Sequence, residues 1–262
     1  MICRHVKMSK WLYAIIAIIV VVAAAFATYY YLGFSKPTQK VLRVGTSPDF
    51  PPFEFINEST GEVVGIDIDL IKAIANRLGY KVQIVSMDFD GLIPALEQGQ
   101  VDVVISGMTI TEERAKRVDF SIPYWKADQA IIVVKGSSYR PSSIEDLANH
   151  VVGVQSGTTA EELLDEYVNK GLSINIKRYS SYTLAVQDLI NGRVDAVLVD
   201  SPVAKALAKK YNVEVTATIQ TGEEYGIAVK KGNKELLDQI NKALSEILNS
   251  SEWEAIVSKY TG

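Results

Sequence analysis

The sequence predicts a two-lobed α/β protein that follows an apolar N-terminal helix. From residue 41 onward, strand and helix patterns alternate, which is typical of a mostly parallel sheet with helices on both faces. A segment in which a helix ends at glycine and leads into an apolar strand occurs twice, at residues 96–104 and 189–197. The repeat indicates two similar lobes, each presenting the carboxyl end of a strand, where open α/β sheets bind ligands.

The N-terminal segment has the composition of a membrane-spanning helix. Three basic residues, Arg4, Lys7 and Lys10, precede an apolar run over residues 11–34. At about 1.5 Å per helical residue, this run exceeds the roughly 30 Å of a bilayer's hydrocarbon core. We therefore expect residues 1–35 to be a signal peptide or a membrane anchor, with the basic end in the cytoplasm and the rest of the chain outside.

The sequence leaves two alternatives for this segment, a signal peptide that is cleaved or an anchor that is retained. Residues 25–27, Ala-Phe-Ala, fit a signal-peptidase site, but the run continues apolar through three tyrosines and a leucine at residues 29–32. Those tyrosines suit an interfacial aromatic belt, and the total length favours an uncleaved anchor. Residues 36–40 then form a short polar linker, in which Pro37 stops the helix.

The remaining elements follow from periodicity and from helix-start signals. Strands are predicted at residues 41–46, 81–85, 101–105 and 131–134, near residue 151, and at residues 225–229. Residues 47–53 form a loop that is stiffened by prolines and carries two aromatic rings. Helices are predicted at about 67–78, around Leu92, after Ser143, at 160–169 and after Asn233.

The stretch from residue 99 to residue 114 combines a strand with polar groups that suit a carboxylate. Ser106, Gly107 and Thr109 follow the carboxyl end of the predicted strand, and Thr111 is the expected N-cap of a helix that holds Arg114. An arginine can bind a carboxylate bidentately, while hydroxyl and free N–H groups satisfy its remaining lone pairs. The alternative is that Arg114 pairs with an acid on the protein's own surface.

The second copy of the repeat delivers Asp200 at the end of its strand. If the two strand ends face each other, Arg114 and Asp200 lie across one cleft. A cation on one wall and an acid on the other match the carboxylate and the ammonium of a zwitterion. The alternative for Asp200 is an N-cap of the helix that starts near Pro202.

The composition argues against several other classes of protein. The chain has 262 residues, 48% of them hydrophobic, which is enough for one large or two modest domains. Its net charge of -4, with no basic cluster beyond the N-terminus, argues against a nucleic-acid partner. Cys3 is the only cysteine, and His5 and His150 lie in unrelated contexts. We expect no metal, no cofactor and no catalytic group.

Five motifs, taken in order, also carry a resemblance to a known family. They are residues 45–53 (GTSPDFPPF), 65–70 (GIDIDL), 102–114 (DVVISGMTITEER) with 119–121 and 123–124, 153–159 (GVQSGTT) and 192–200 (GRVDAVLVD). Together they resemble the polar amino-acid-binding family of ABC-importer solute receptors, the bacterial extracellular solute-binding proteins of family 3. The resemblance covers residues 41–262.

The resemblance implies a type II periplasmic-binding-protein fold, with two α/β lobes joined by two hinge strands. Lobe 1 would comprise residues 41–129 and 225–262, and lobe 2 residues 130–224. The implied ligand-binding residues are Asp49, Phe50, Phe89, Ser106, Gly107, Thr109, Arg114, Gln155, Thr158, Thr159 and Asp200.

Within that set, the resemblance implies three groups of roles. Gly107, Thr109 and Arg114 would bind the α-carboxylate, together with backbone near Thr159, and Asp200 would bind the α-ammonium. Phe50 and Phe89 would flank the ligand side chain, and Ser106 would add backbone or hydroxyl contacts. The receptor is then an extracytoplasmic monomer that delivers its ligand to an ABC permease and its ATPase.

The ligand depends on one departure from the family pattern. Receptors for basic amino acids and for glutamine often have an acid where Ser47 stands here. Asp49, or else Asp88 or Asp90, can replace that acid. A carboxylate between aromatic walls favours a guanidinium, so arginine or lysine is the expected ligand, with glutamine next.

Two other functions compete with a transport receptor. One is a secreted enzyme on the same scaffold that resembles cyclohexadienyl dehydratase, for which the ammonium-binding role of Asp200 is superfluous. The other is a membrane-tethered sensor domain that feeds a separate signalling chain, because no cytoplasmic output domain is evident in the sequence.

Overall fold

The computed structural model describes residues 9–34 and 40–262, which belong to two separate units divided after residue 39. Cys3, Arg4, His5, Lys7 and all of the predicted linker except Lys40 lie outside the described residues. The first unit is helix α1, Lys10–Phe34. Its span Lys10–Thr28 has a mean hydropathy of 2.5, so it is long and apolar enough to cross a membrane, a test that a signal sequence also passes.

The second unit alternates strands and helices, with two single turns of 3-10 helix. Its strands are β1 Val41–Thr46, β2 Asp49–Phe50, β3 Glu54–Ile56, β4 Val63–Val64, β5 Lys81–Ser86, β6 Val103–Val104, β7 Val118–Phe120, β8 Trp125–Val134, β9 Val151–Gln155, β10 Asn175–Tyr179, β11 Ala196–Asp200, β12 Val213–Tyr225 and β13 Ala228–Lys230. Its helices are α2 Ile66–Arg77, α3 Leu92–Glu97, α4 Glu112–Arg117, α5 Thr159–Asn169, α6 Tyr182–Ile190, α7 Ser201–Lys210, α8 Lys234–Leu248 and α9 Ser251–Thr261.

Two five-stranded sheets with the same pattern define two lobes. The first lobe is built on the order β5-β1-β6-β13-β7, and the second lobe on the order β10-β9-β11-β8-β12. In each sheet the first three strands are parallel and the last two are antiparallel to their neighbours. Four of the five strands in each sheet therefore run in the same direction, as expected for a mostly parallel sheet, and one strand, β13 in the first sheet and β8 in the second, runs against them.

The repeat seen in the sequence forms the same local structure twice. In the first lobe, the Asp102 N–H donates to the Arg43 carbonyl at 2.8 Å, and its carboxylate accepts the Arg43 N–H at 2.8 Å. In the second lobe, Asp195 makes the same pair of bonds to Val151, each at 2.8 Å. The aspartate of each copy thus joins its own strand to the neighbouring parallel strand, β1 in the first lobe and β9 in the second.

The long strands β8 and β12 are the hinge strands that join the two lobes. They pair antiparallel from Val213 opposite Val134 to Tyr225 opposite Trp125. At its end β12 also reaches the first lobe, because the Ile110 N–H donates to the Glu224 carbonyl at 2.8 Å. The predicted lobe boundaries, after residues 129 and 224, fall within these two strands and stay a prediction.

Several elements differ from the sequence prediction. Strand β2 lies within the predicted loop over residues 47–53, and β3, β4, β7 and β10 were not predicted. The predicted strand over residues 225–229 is interrupted at Gly226 and Ile227, between β12 and β13. The helix predicted after Ser143 is a single 3-10 turn, Glu145–Leu147. Strand β12 was not predicted, because its exposed half is polar and gives no apolar run.

Most of the buried polar side chains line the space between the two lobes. The buried apolar side chains form one large cluster with residues of both lobes, such as Val44 and Val197, and one smaller cluster within each lobe. Twelve buried polar or charged residues remain in the described part of the chain: Thr46, Ser47, Glu54, Asp67, Ser106, Thr109, Arg114, Ser121, Gln129, Gln155, Thr158 and Asp200. Buried polar groups need partners, so this concentration indicates a binding site.

Candidate ligand-binding cleft

One cavity between the lobes brings together all eleven residues expected at the site. It lies at the carboxyl ends of strands from both sheets, among them β1, β9 and β11. Ser47 and Glu54 also line it. Residues of both lobes therefore line the cavity.

Arg114 is a buried cation that forms no ion pair with any acid in the part of the chain that the structure describes. Its helix α4 starts at Thr111, whose hydroxyl accepts the Arg114 N–H at 3.2 Å, as the sequence predicted. The guanidinium donates to the backbone carbonyls of Thr109, at 2.8 Å, and of Gly157, at 2.9 Å. The side chain is only 6% exposed, and burial lowers the pKa of Arg114.

The guanidinium of Arg114 retains three of its five N–H donors, because the described residues supply only the two carbonyl acceptors. No ion pair within 4.0 Å involves Arg114 among residues 9–34 and 40–262, so the alternative of a surface ion pair does not hold. Buried charge without a partner is costly. An anionic guest would supply that partner.

Asp200 is the corresponding buried acid, from the second lobe. It stands at the N-cap position of α7, but its side chain makes no capping bond, so the capping alternative is wrong. Its carboxylate instead accepts from Gln129 Nε2, at 2.8 Å, and from the Tyr225 hydroxyl. Burial, and next the nearby charge of Glu223, raise the pKa of Asp200 to about 7. A cationic guest would stabilise the ionised form.

Asp49 supplies a second carboxylate to the cavity. It accepts the Tyr182 N–H at 2.6 Å, the Ser47 hydroxyl at 3.0 Å and Gln155 Nε2 at 3.2 Å. Burial raises the pKa of Asp49 to about 6. Asp88 and Asp90, the alternatives for this role, are exposed and do not line the cavity.

The two expected aromatic walls both line the cavity. Phe50 packs against Tyr182, with ring centroids 5.7 Å apart. It also lies over Gly107, whose φ of +50° and short distance to the ring leave no room for a Cβ atom. Phe89 lies under the guanidinium of Arg114, 5.4 Å from its ring centroid. One face of Phe89 is therefore used by Arg114 itself.

Ser106 and Gly107 are held by two buried acids that the sequence analysis missed. The Ser106 hydroxyl donates to Glu54 and accepts the Ser47 N–H, at 2.8 and 2.9 Å. The Gly107 N–H donates to Asp67 at 2.8 Å. Burial raises the pKa of Glu54 well above its ordinary value and that of Asp67 to about 6. These contacts orient the loop that follows β6 and carries Ser106 and Gly107.

The threonines have partners within the protein as well. Thr158 is the N-cap of α5, and its hydroxyl donates to the Gln155 carbonyl at 2.7 Å. Thr109 and Thr159 both donate their hydroxyl protons to one carboxylate oxygen of Glu223, at 2.7 and 2.8 Å. Glu223 was not predicted, since it lies 114 positions from Thr109 along the chain.

Among the described residues, no group of three or more histidine, cysteine, aspartate or glutamate side chains is arranged to hold a metal ion. The cleft instead joins two α/β lobes and carries a buried cation and buried acids. This combination defines a two-lobed solute-binding protein. The chain belongs to the bacterial extracellular solute-binding proteins, family 3, whose family model matches residues 42–262. It is thus an amino-acid receptor of the ABC-import class.

The relatives agree with this class. The chain is 36% identical to the arginine-binding extracellular protein ArtP of Bacillus subtilis, over 97% of this chain and 98% of the relative. The structure of an ancestral arginine-binding protein bound to arginine is similar to this chain, with a TM-score of 0.81 and 50% sequence identity. The match covers 85% of this chain and 98% of the ancestral protein. An ancestral arginine-binding protein bound to glutamine has a TM-score of 0.80 and 50% sequence identity. That match covers 86% of this chain and 99% of the ancestral protein.

One structural neighbour bears on the enzyme alternative. An ancestral amino acid-binding protein described as a precursor of cyclohexadienyl dehydratase has a TM-score of 0.78 and 42% identity. It covers 85% of this chain and 96% of its own. The relatives described above are named for binding, and this neighbour is an amino-acid-binding protein too.

Proposed function

We propose that this protein binds L-arginine, or a closely related cationic amino acid, in the interlobe cleft and delivers it to an ABC importer. In this assignment Arg114 binds the α-carboxylate, Asp200 binds the α-ammonium, and Asp49 binds the cationic end of the side chain between Phe50 and Phe89. The names of the arginine-binding relatives support the same ligand class.

The observation that carries the proposal is the balance of charges around the cavity. Its lining holds one cation, Arg114, and three carboxyl groups, Asp49, Glu54 and Asp200. Glu54 already accepts the Ser106 hydroxyl at 2.8 Å, and burial raises the pKa of Glu54 well above its ordinary value, so Asp49 and Asp200 are the acids left for a ligand. One buried cation and two ionisable acids match a ligand with one carboxylate and two cationic groups, which describes arginine or lysine.

Glutamine is the second ligand in this assignment. It has the same carboxylate and ammonium, so it would satisfy Arg114 and Asp200 equally well. Its neutral amide would leave Asp49 without a counter-charge, which predicts weaker binding than arginine. An ancestral relative was solved with glutamine bound, which supports glutamine as a member of the same ligand class.

Closure of the lobes would couple binding to delivery. Arg114 already bonds to Gly157 of the second lobe, and Asp49 of the first lobe already accepts from Tyr182 and Gln155 of the second. A ligand that contacts both walls stabilises the closed state over the open one, which is the differential affinity that a conformational change requires. The closed receptor would then dock on the permease, whose ATPase drives import.

We further propose that α1 stays uncleaved and anchors the receptor, as a monomer, to the outer face of the membrane. The helix Lys10–Phe34 is long enough to span a bilayer. Tethering would raise the receptor's effective concentration at its permease. Mass spectrometry of the membrane fraction tests this proposal, because a chain that lacks the N-terminal segment would contradict it.

The enzyme alternative is less well supported than a receptor. Within residues 9–34 and 40–262, the buried carboxylate of Asp200 has hydrogen-bond partners but no ion-pair partner, which suits an ammonium group. An enzyme acting on a substrate without an amino group would not need that site. We therefore propose that the protein is not an enzyme.

A thermal-shift screen of the full chain in detergent against the twenty amino acids tests the ligand assignment. A ligand that binds only the folded state raises the melting temperature, by an amount that grows with its affinity. We expect the largest shift with arginine, smaller shifts with lysine and glutamine, and none with glutamate. No shift with any amino acid, or the largest with an acidic one, would overturn the proposal.

A further inference from the structure

Glu223 lies behind the cavity wall and connects both lobes. Its Oε2 atom accepts from Thr109 of the first lobe at 2.7 Å and from Thr159 of the second lobe at 2.8 Å. Its Oε1 atom accepts from Gln129 Nε2 at 2.9 Å and from the Thr221 hydroxyl at 3.1 Å. The carboxylate itself does not line the cavity, whereas both threonines that it contacts do.

This contact fixes what the two hydroxyl groups can offer to a ligand. A threonine hydroxyl has one proton to donate and two lone pairs to accept with, whereas a carboxylate only accepts. Because Glu223 accepts the single proton of each hydroxyl, neither Thr109 nor Thr159 has a proton left for a ligand carboxylate. The hydroxyl groups are left with lone pairs, which suit a donor such as an ammonium group.

The acceptor count at the ammonium end supports this role. An α-ammonium group has three N–H donors. Each carboxylate oxygen of Asp200 already accepts one bond, from Gln129 or from Tyr225. Two further acceptors complete the coordination of an ammonium, and Thr109 and Thr159 provide one each. Gln129 Nε2 bonds to both Asp200 and Glu223, so one amide group fixes the positions of the two carboxylates relative to each other.

We propose that Glu223 is a positioning residue for the ammonium end of the ligand: by accepting the hydroxyl protons of Thr109 and Thr159, it turns both hydroxyl groups into acceptors. The inference rests on the proposed amino-acid ligand. It changes one expectation from the sequence, because it moves Thr109 from the carboxylate end to the ammonium end. The carboxylate is then left to Arg114 and to backbone N–H groups.

Calorimetry with three ligands on the full chain in detergent tests this assignment. The ligands are arginine, agmatine, which lacks the carboxylate, and 5-guanidinopentanoate, which lacks the ammonium. We expect Thr109→Val and Glu223→Gln each to weaken arginine and agmatine at least about tenfold, a loss of about 1.4 kcal/mol. The same variants should change the affinity for 5-guanidinopentanoate less than about threefold.

A matched control is Glu224→Gln, since Glu224 is the next residue of β12 and its side chain pairs with Lys126 at the surface, at 3.6 Å. It should bind all three ligands as the wild type does. The inference is overturned if Thr109→Val weakens 5-guanidinopentanoate instead of agmatine, or if Glu223→Gln weakens all three ligands equally. It is also overturned if Glu223→Gln leaves arginine binding unchanged.

A second measurement needs only arginine. If Glu223 acts through the two hydroxyl groups, Glu223→Gln should change arginine affinity less than about threefold in a Thr109→Val/Thr159→Val background. A full loss in that background would show that the charge of Glu223 acts directly, and would overturn the inference. Failure of the wild type to bind arginine would overturn the proposed function and the inference with it, whereas normal wild-type binding with unaffected variants would overturn the inference alone.

Discussion

Arg114 and Gly157 are joined across the cleft by a hydrogen bond from the guanidinium to the backbone carbonyl, with a length of 2.9 Å. Arg114 follows β6 of the first lobe, and Gly157 follows β9 of the second lobe. A residue expected to bind the ligand carboxylate is therefore also a contact between the lobes. Ligand binding and lobe closure depend on the same side chain.

The first prediction concerns Arg114→Ala. Removing the guanidinium would leave the ligand carboxylate buried without a counter-charge, at a cost on the order of 3–5 kcal/mol. We expect the dissociation constant for arginine to rise by hundreds-fold or more, while the fold persists. Isothermal calorimetry measures the change, with circular dichroism as the check on folding.

Arg117→Ala is the matched control for Arg114→Ala. Arg117 lies in the same helix, but it pairs with Glu97 on the surface, at 2.5 Å. Exposed ion pairs contribute about 0–1 kcal/mol, so this variant should bind arginine as the wild type does. Near-wild-type binding by Arg114→Ala would contradict the assignment of the carboxylate site.

The second prediction concerns Gly157→Ala and lobe closure. A Cβ atom on Gly157 would lie 2.9 Å from Cβ of Asp90, which belongs to the first lobe. The clash exists only when the lobes are closed, so the substitution should favour the open state. We expect arginine affinity to fall at least about tenfold, and small-angle scattering with saturating arginine to report a larger radius than the wild type.

Gly192→Ala separates this clash from backbone strain. Gly192 has a φ of +70°, similar to the +77° of Gly157, but no atom lies within 4 Å of the position that a Cβ atom would take there. Both variants bear the conformational penalty of roughly 1–2 kcal/mol for alanine in the left-handed region. Only Gly157→Ala should lose affinity. Equal affinities for the two variants would argue against a closure effect.

The positions of the site residues could be predicted largely from the sequence, because they follow strand ends. Arg114 and Asp200 were reached from the repeated glycine–strand motif, and the structure places them on opposite sides of one cavity. Ser106, Gly107 and Thr109 were reached with Arg114, and the other expected residues came from the resemblance; all of them line the same cavity. Ser47 and Glu54 line it too and were not expected there. Strand ends are local features, and the parallel order within each sheet brings them together.

The partners of these residues could not be predicted. Ser106 bonds to Glu54, 52 positions away, and Gly107 bonds to Asp67, 40 positions away. No sequence period links such pairs, because tertiary packing decides which buried acid meets which donor. The same holds for Glu223, which is carried to the cleft by the unpredicted strand β12.

The third prediction concerns Asp49→Asn and ligand choice. Asp49 is the acid assigned to the cationic end of the ligand side chain. Replacing its charge with an amide should weaken arginine about tenfold or more and glutamine much less, because glutamine has no charge there. Calorimetry with both ligands gives the ratio of affinities.

Asp88→Asn is the control for Asp49→Asn, since Asp88 is exposed and does not line the cavity. It should leave both affinities unchanged. If Asp49→Asn weakened arginine and glutamine to the same extent, Asp49 would be acting on the shape of the cleft, through Tyr182 and Gln155, and not on the charge of the ligand.

The last prediction is that pH changes ligand affinity and ligand-free stability in opposite directions. Burial raises the pKa of Asp49 and Asp67 from 3.8 to about 6, and that of Asp200 from 3.8 to about 7. Between pH 4 and pH 7 the folded state therefore binds more protons than the unfolded chain does. Stability from these groups is greatest at the acidic end of that window and is lost as the pH rises through 6 to 7.

The ligand reverses this dependence, because its cationic groups need Asp49 and Asp200 in the ionised form. As the pH falls from 8 to 5.5, we expect arginine to bind more weakly, with a loss of up to roughly tenfold per pH unit for each proton taken up. The ligand-free melting temperature should rise over the same range. Calorimetry and thermal denaturation in matched buffers measure the two trends. In Asp200→Asn, the part of the affinity change that is centred near pH 7 should disappear. If the wild type instead binds arginine with constant affinity from pH 8 to pH 5.5, the assignment of Asp49 and Asp200 to the ligand is contradicted.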